Sequence, residues 1–201
     1  MRRAELLRQV VWIGGITVVV ATAVFLFTRP NEPPTRPDTL PGELTTEAPW
    51  PANADQAAAR ADAIGLPGEG TTMHEHPDVQ VFVSGEQVTV PVNIGIDADG
   101  TAQSLHTHTD DGVVHMESAT VRDFTLGEFF DVWGVRLSGT CLGGFCEDAD
   151  NTLRVFKDGQ EVTGPIRDVV LDDLSVIVVT YGTQAQVPDP IPTFDFSSLQ
   201  P

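Results

Sequence analysis

Basic residues are scarce in this sequence, and so is sulfur. Eleven Lys and Arg stand against 29 Asp and Glu, for a formal charge of −18. From Thr71 onward the balance is 5 against 21. Such a chain repels nucleic acid, whose binding rests on Lys and Arg neutralising phosphates. Its acidity raises the local concentration of cations, although solubility alone accounts for acidity equally well. There are two cysteines, and their spacing is not the Cys-x-x-Cys of thioredoxin-like enzymes. The chain contains no Gly-x-Ser-x-Gly, no phosphate-binding glycine loop and no Cys–His pairing that suggests a nucleophile. Apolar residues make up 41% and charged residues 20%, which permits a packed core and argues against global disorder.

One long apolar run is present. Val10 to Phe27 reads VVWIGGITVVVATAVFLF without a charge, long enough at about 1.5 Å per residue to cross a bilayer. Arg2, Arg3 and Arg8 precede it and Arg29 follows it, so the charge bias places the N-terminus in the cytoplasm. A cleaved signal peptide is the competing reading. Against it, the Ala-x-Ala nearest the run, Ala21 to Ala23, lies inside it. The expectation is an uncleaved single-pass signal-anchor, with a cytoplasmic N-terminus (1–9), a transmembrane helix (10–28) and everything functional outside the cytoplasm.

Residues 29–52 are dense in proline and read as a semi-rigid spacer. Residues 53–70 suggest a short Ala-rich helix or stalk, capped by Asn53 or Asp55 and stopped near Gly65. A folded domain is expected over 71–182 and a tail over 183–201, with Phe194 and Phe196 docking on the domain.

Alternation rather than helical period dominates the domain. VQVFVSGEQVTVPV (79–92) reads as two strands turning at Ser84-Gly85-Glu86, and TLRVFKDGQEV (152–162) as a hairpin on the favoured Asp158-Gly159 pair. LSVIVVTYG (174–182) is a candidate central strand. FTLGEFFDVWG (124–134) is the exception, with a Thr125/Glu128 capping box, apolar residues at helical intervals and Gly134 as a stop. Phe124, Phe129, Phe130 and Trp133 belong to the core on this reading. The fold class is therefore α+β, about seven mostly antiparallel strands with one short helix. The order of hairpin, helix, hairpin and final strand suggests a β-grasp-like arrangement, with a β-sandwich as the alternative.

All five histidines fall between 74 and 115, four of them as His-x-His: His74 and His76 in MHEHP, His106 and His108 in LHTHTDDG, and His115 in VVHME. A two-residue turn at Asp111-Gly112 sets His108 opposite His115 and His106 opposite Glu117. A four-residue loop over 109–112 sets His106 opposite His115. Because side chains alternate along a strand, His106, His108, His115 and Glu117 share one face in either register. His74 and His76 also share a face if their segment is extended, as Pro77 encourages. A single His-x-His reads as an ordinary polar strand. Two of them with a facing third histidine, outside the cytoplasm, point to nitrogen ligation of zinc or copper. The expected ligands are His74, His76, His106, His108, His115 and Glu117. Met73 and Met116 stand beside them, but on ideal strands they point to the opposite face.

Cys141 and Cys146 are expected as a disulfide, in keeping with an oxidising compartment, with Gly143-Gly144 allowing the small ring. Glu147, Asp148 and Asp150 hint at calcium but lack the full spaced-oxygen pattern.

The His-x-His-Pro, Asn93-Ile94-Gly95-Ile96, Leu-His-Thr-His, Asp-Gly-Val-Val-His-Met-Glu and Phe-Thr-Leu-Gly-Glu-Phe-Phe-Asp-Val-Trp-Gly motifs, in that order, resemble an uncharacterised family of bacterial membrane-anchored extracytoplasmic proteins. The resemblance covers residues 73–182 and implies no activity.

Three functions are compatible with these residues. The first is a copper- or zinc-binding module for capture, delivery to a metal-accepting or membrane protein partner, or sensing. The second is a structural or partner-binding domain with incidental or pH-sensing histidines. The third is a zinc hydrolase or hydratase with Glu117 as base.

Overall fold

The computed structural model describes residues 35–199, so the expected membrane anchor and the start of the linker lie outside the described residues. Among those described, no helix is long and apolar enough to cross a membrane. The elements in chain order are α1 (Ala57–Ala63), β1 (Met73–Glu75), β2 (Asp78–Val83), β3 (Glu86–Val88), β4 (Leu105–His106), β5 (His115–Ser118), α2 (Leu126–Trp133), β6 (Cys141–Leu142), β7 (Phe145–Cys146), β8 (Thr152–Lys157), β9 (Gln160–Glu161) and β10 (Val176–Gly182). Over the described residues the fold is sheet-rich α+β with few helices. Ten strands are present among the described residues where about seven were expected, the additional ones being two or three residues long.

The larger sheet has the order β3-β2-β10-β8-β9. β10 is buried along its whole length, which is why its sequence is a continuous apolar run and not an alternating one. It pairs in parallel with β2 (Val179 with Val81) and antiparallel with β8 (Val179 with Val155). The two hairpins turn where the sequence indicates. Ser84 and Gly85 have φ of 53° and 87°, and Asp158 and Gly159 have 50° and 79°, the pair of positive values that a type I′ turn demands.

The apolar side chains of helix α2 share one core cluster with residues of both sheets. Thr125 Oγ1 accepts from the Glu128 amide at 3.3 Å, and the Glu128 carboxylate accepts from the Thr125 amide at 2.9 Å. Two of the four free amides at the helix start are thereby satisfied. Gly134 ends the helix at φ 76°. Phe124, Phe129, Phe130 and Trp133 are fully buried, as expected.

The N-terminal part differs from the expectation. Asn53 makes no side-chain cap to the first turn, and its Nδ2 donates instead to the Gly42 carbonyl. α1 packs on the domain through Arg60, whose guanidinium donates to the carbonyls of Val132, Asn53 and Pro41. A buried cation on the C-terminal carbonyls of α2 also complements that helix's dipole. Residues 40–50, read from the sequence as spacer, are packed as well. Leu40 and Trp50 are buried, Trp50 stands edge-on to Trp133 at 5.9 Å, and Leu44 bridges to Val135. The few apolar side chains among those prolines have an apolar surface to cover. At the other end, Phe194 and Phe196 pack against the cluster of Phe156, Val176 and Val178.

Cys141 and Cys146 are directly paired across the β6–β7 hairpin and form a disulfide. Asp148 is committed to its own loop, accepting from the amides of Asp150 and Asn151.

Candidate metal centre

The second sheet is small, with the order β1-β5-β4. Its registers set His74 opposite Glu117 and His106 opposite His115. On the central strand His115 and Glu117 are two residues apart, so these four side chains share a face. The other face carries Met73, Leu105, Met116 and Ser118, all buried, with half-buried Glu75 opposite Met116 at its edge. Both methionine thioethers therefore lie in the core and not among the imidazoles. Of the two loop readings, the longer one matches the pairing, since His106 and not His108 opposes His115.

His76 and His108 lie just beyond the paired residues and fold back over the same face. The His76 ring is 4.5 Å from that of His74 and 4.6 Å from that of His115. Its backbone is held from a distant loop, where Asp173 Oδ1 accepts from the His76 amide at 2.9 Å. The His108 ring is 4.7 Å from His106 and 4.6 Å from His115. The structure thus brings all six candidate residues together. They fall into two groups of donors, His106/His108/His115/Glu117 and His74/His76/His115, and within each group the donor atoms lie within 4.8 Å of one another.

Irregular backbone aims these side chains. Thr107 exchanges hydrogen bonds with the Asn93–Ile94 turn, at 3.0 and 3.1 Å, and its Oγ1 accepts from the Ile94 amide and donates to the Pro91 carbonyl. Gly95 at φ 69° allows that turn to lie on β4. A Cβ there would fall 2.2 Å from the Leu105 carbonyl oxygen, a contact only glycine avoids.

The tautomer of His106 is set by its neighbour. Its Nδ1 lies 2.8 Å from the Gln103 carbonyl, an acceptor only, so Nδ1 carries the hydrogen and Nε2 presents a lone pair. This is the way metal-ligating imidazoles are commonly oriented. That Nε2 is 3.1 Å from His108 Nε2 and 3.9 Å from Glu117 Oε1. Two nitrogens on one tetrahedral zinc, at about 2.05 Å each, stand about 3.3 Å apart, so the spacing suits a shared ion. His115 Nδ1 lies 3.4 Å from Glu117 Oε1, yet it is buried with no hydrogen-bonding partner among the described residues. An unsatisfied buried nitrogen is costly unless something else uses its lone pair.

The charge state of the cluster favours a cation. Burial, followed by repulsion from His76, His106 and His108, pulls His115 down to about 4. Burial and the nearby His108 lower His106, and burial and His74 lower His76. Burial on its own raises the Glu117 carboxyl, but His106, His74 and His115 outweigh it and hold the group below the ordinary carboxylate range. His76, His106 and His115, held neutral beside an ionised Glu117, offer lone pairs that a cation can use near neutral pH.

Two supports of the site gave no sequence signal. Gln103 acts through its backbone carbonyl, which no side chain advertises, and Asp173 lies 97 residues from the amide it holds. No protein-family model, curated protein or solved structure matches the chain.

Proposed function

We propose that this chain is a membrane-anchored extracytoplasmic protein that binds copper or zinc through its clustered histidines, for capture, delivery to a partner protein, or sensing. The observation that carries the reading is the set His106, His108, His115 and Glu117, with donor atoms within 4.8 Å of one another. Three imidazoles and one carboxylate suit Zn(II) and Cu(II), whereas Cu(I) would draw on thioethers that here are buried in the core. The uncharged run Val10–Phe27 supports the anchor, and the Cys141–Cys146 disulfide supports an oxidising compartment. The anchored extracytoplasmic family that the motifs resemble agrees with both. The strand order of the larger sheet, two hairpins flanking a parallel pair of first and last strands, favours the β-grasp-like description over a sandwich.

Binding is favoured over hydrolysis by the position of Glu117. Its Oε1 lies 3.1 Å from His74 Nε2 and 3.4 Å from His115 Nδ1. A carboxylate set among ring nitrogens at these distances is placed to share a metal with them as ligand or charge partner, and this favours binding over a role as free general base. The test is metal content after loading with Cu(II) or Zn(II) and exhaustive dialysis. Wild type should retain copper or zinc, and His106→Ala/His108→Ala should lose the ion bound at the His106 group while keeping its circular dichroism spectrum. Equal, weak uptake in both proteins would overturn the metal reading and leave the structural one.

A further inference from the structure

Six donors are more than one tetrahedral ion uses, and their division is not arbitrary. The two donor groups have a single member in common, His115. Its Nδ1 lies 3.4 Å from Glu117 Oε1, and its ring is stacked on that of His106 at 5.3 Å. The two lone pairs of an imidazole diverge in the ring plane, so one ring cannot give both nitrogens to the same ion. His115 can therefore belong to both groups only by giving one nitrogen to each, and the rings of His76 and His108, one from each group, both stand edge-on to it at 4.6 Å. The two groups also differ in setting. The first is anchored by His106, whose side chain is 1% exposed, and the second by His74, at 53%.

Resting on the metal-binding reading above, we infer that the chain holds two divalent ions joined through His115. One sits on His106, His108, His115 Nδ1 and Glu117. The other sits on His74, His76 and the second nitrogen of His115, with solvent or a partner's donor completing its sphere. Filling the second position replaces the remaining ring proton of His115, which leaves to solvent as the ring bridges the two ions. The His106 ion is the retained one. The His74 ion, with three protein donors and an open flank, is the exchangeable one and is the position from which a partner would take or give metal. Glu117 Oε1, close to nitrogens of both groups, offsets part of the repulsion between two dications.

The test is Cu(II) binding to the full-length chain, kept in mild detergent, with copper per chain and electron paramagnetic resonance intensity read together. Wild type should bind two ions in two steps differing at least tenfold in affinity. The doubly loaded protein should show less spin intensity than its copper content, because bridged Cu(II) ions couple. His74→Ala/His76→Ala should bind one ion, with full spin intensity. Should that double variant fail to fold, the single change His74→Gln at an exposed position reads the same loss of the weaker step. One ion in wild type, unchanged in the His74/His76 variants, overturns the two-ion inference and leaves the His106 site standing. Two ions with full spin intensity overturn the sharing of His115. No retained ion in wild type overturns the metal-binding reading itself.

Discussion

The five-stranded sheet is held by apolar burial along its central strand, whereas the three-stranded sheet has one buried face and relies on backbone hydrogen bonds from elsewhere for the rest. In the first, β10 buries seven consecutive residues between two partners, and Ile177, Val178 and Val179 are wholly inaccessible. In the second, the strands are two to four residues long and one face is given over to imidazoles. Its regular pairing ends at His106, and the loop that follows is held by single hydrogen bonds, from the Val79 amide to the Gly112 carbonyl and from the Val114 amide to the Pro77 carbonyl. Apolar burial supplies the stability in one place, and the polar cluster it cannot stabilise by itself is displayed in the other. A small sheet on a rigid large one gives fixed donor positions without requiring the donors to hold the fold together.

That contrast can be broken from either side. The largest expected effect lies in the large sheet. Ile177→Ala removes most of a fully buried side chain and should cost about 2–5 kcal/mol, read as a lowered denaturant midpoint of the metal-free protein. The folded fraction should still take up metal, and loss of metal binding at full folding would contradict the division of labour.

A smaller effect is expected in the small sheet and depends on pH. His115, at about 4, and His76 and His106, both lowered, bind fewer protons when folded than at their ordinary 6.5 when unfolded, and Glu117 is shifted in the same sense. The histidines' contribution to stability is therefore present above pH 6.5 and is lost as pH falls toward 4, and that of Glu117 is present above 4.5 and lost below it. Asp78 runs the other way. Burial and the nearby Asp111 raise it from 3.8 to about 6, against the opposing hydrogen bond from Gln80. Its contribution is present below 3.8 and lost as pH rises through 6. In metal-free protein, His115→Gln should flatten the decline in melting temperature between pH 6.5 and 4. Parallel pH profiles for wild type and variant would show that the histidine cluster does not govern the acid side.

The two regions also differed in how far they could be read from sequence. Wherever the decisive interaction is local, it was legible. The Thr125/Glu128 box, the Asp158-Gly159 turn, the apolar run of β10 and the shared face of His106, His115 and Glu117 all follow from spacing within a few residues. What escaped depends on partners far along the chain. Residues 40–50 pack because Trp133 waits 83 residues from Trp50, and α1 packs because Arg60 meets Val132. His76 and His108 reach the cluster from outside the paired strands, so alternation alone did not place them. It only put each on the side from which a bending chain could bring it in.

The central claim is that nitrogen and carboxylate donors of one sheet face hold a metal ion. X-ray absorption at the metal edge of the zinc- or copper-loaded full-length protein tests it most directly. The account predicts a first shell of nitrogen and oxygen at about 2.0–2.1 Å with the outer-shell scattering of several imidazoles. A sulfur shell at about 2.3 Å, or a spectrum of hydrated ion without imidazole scattering, would contradict it.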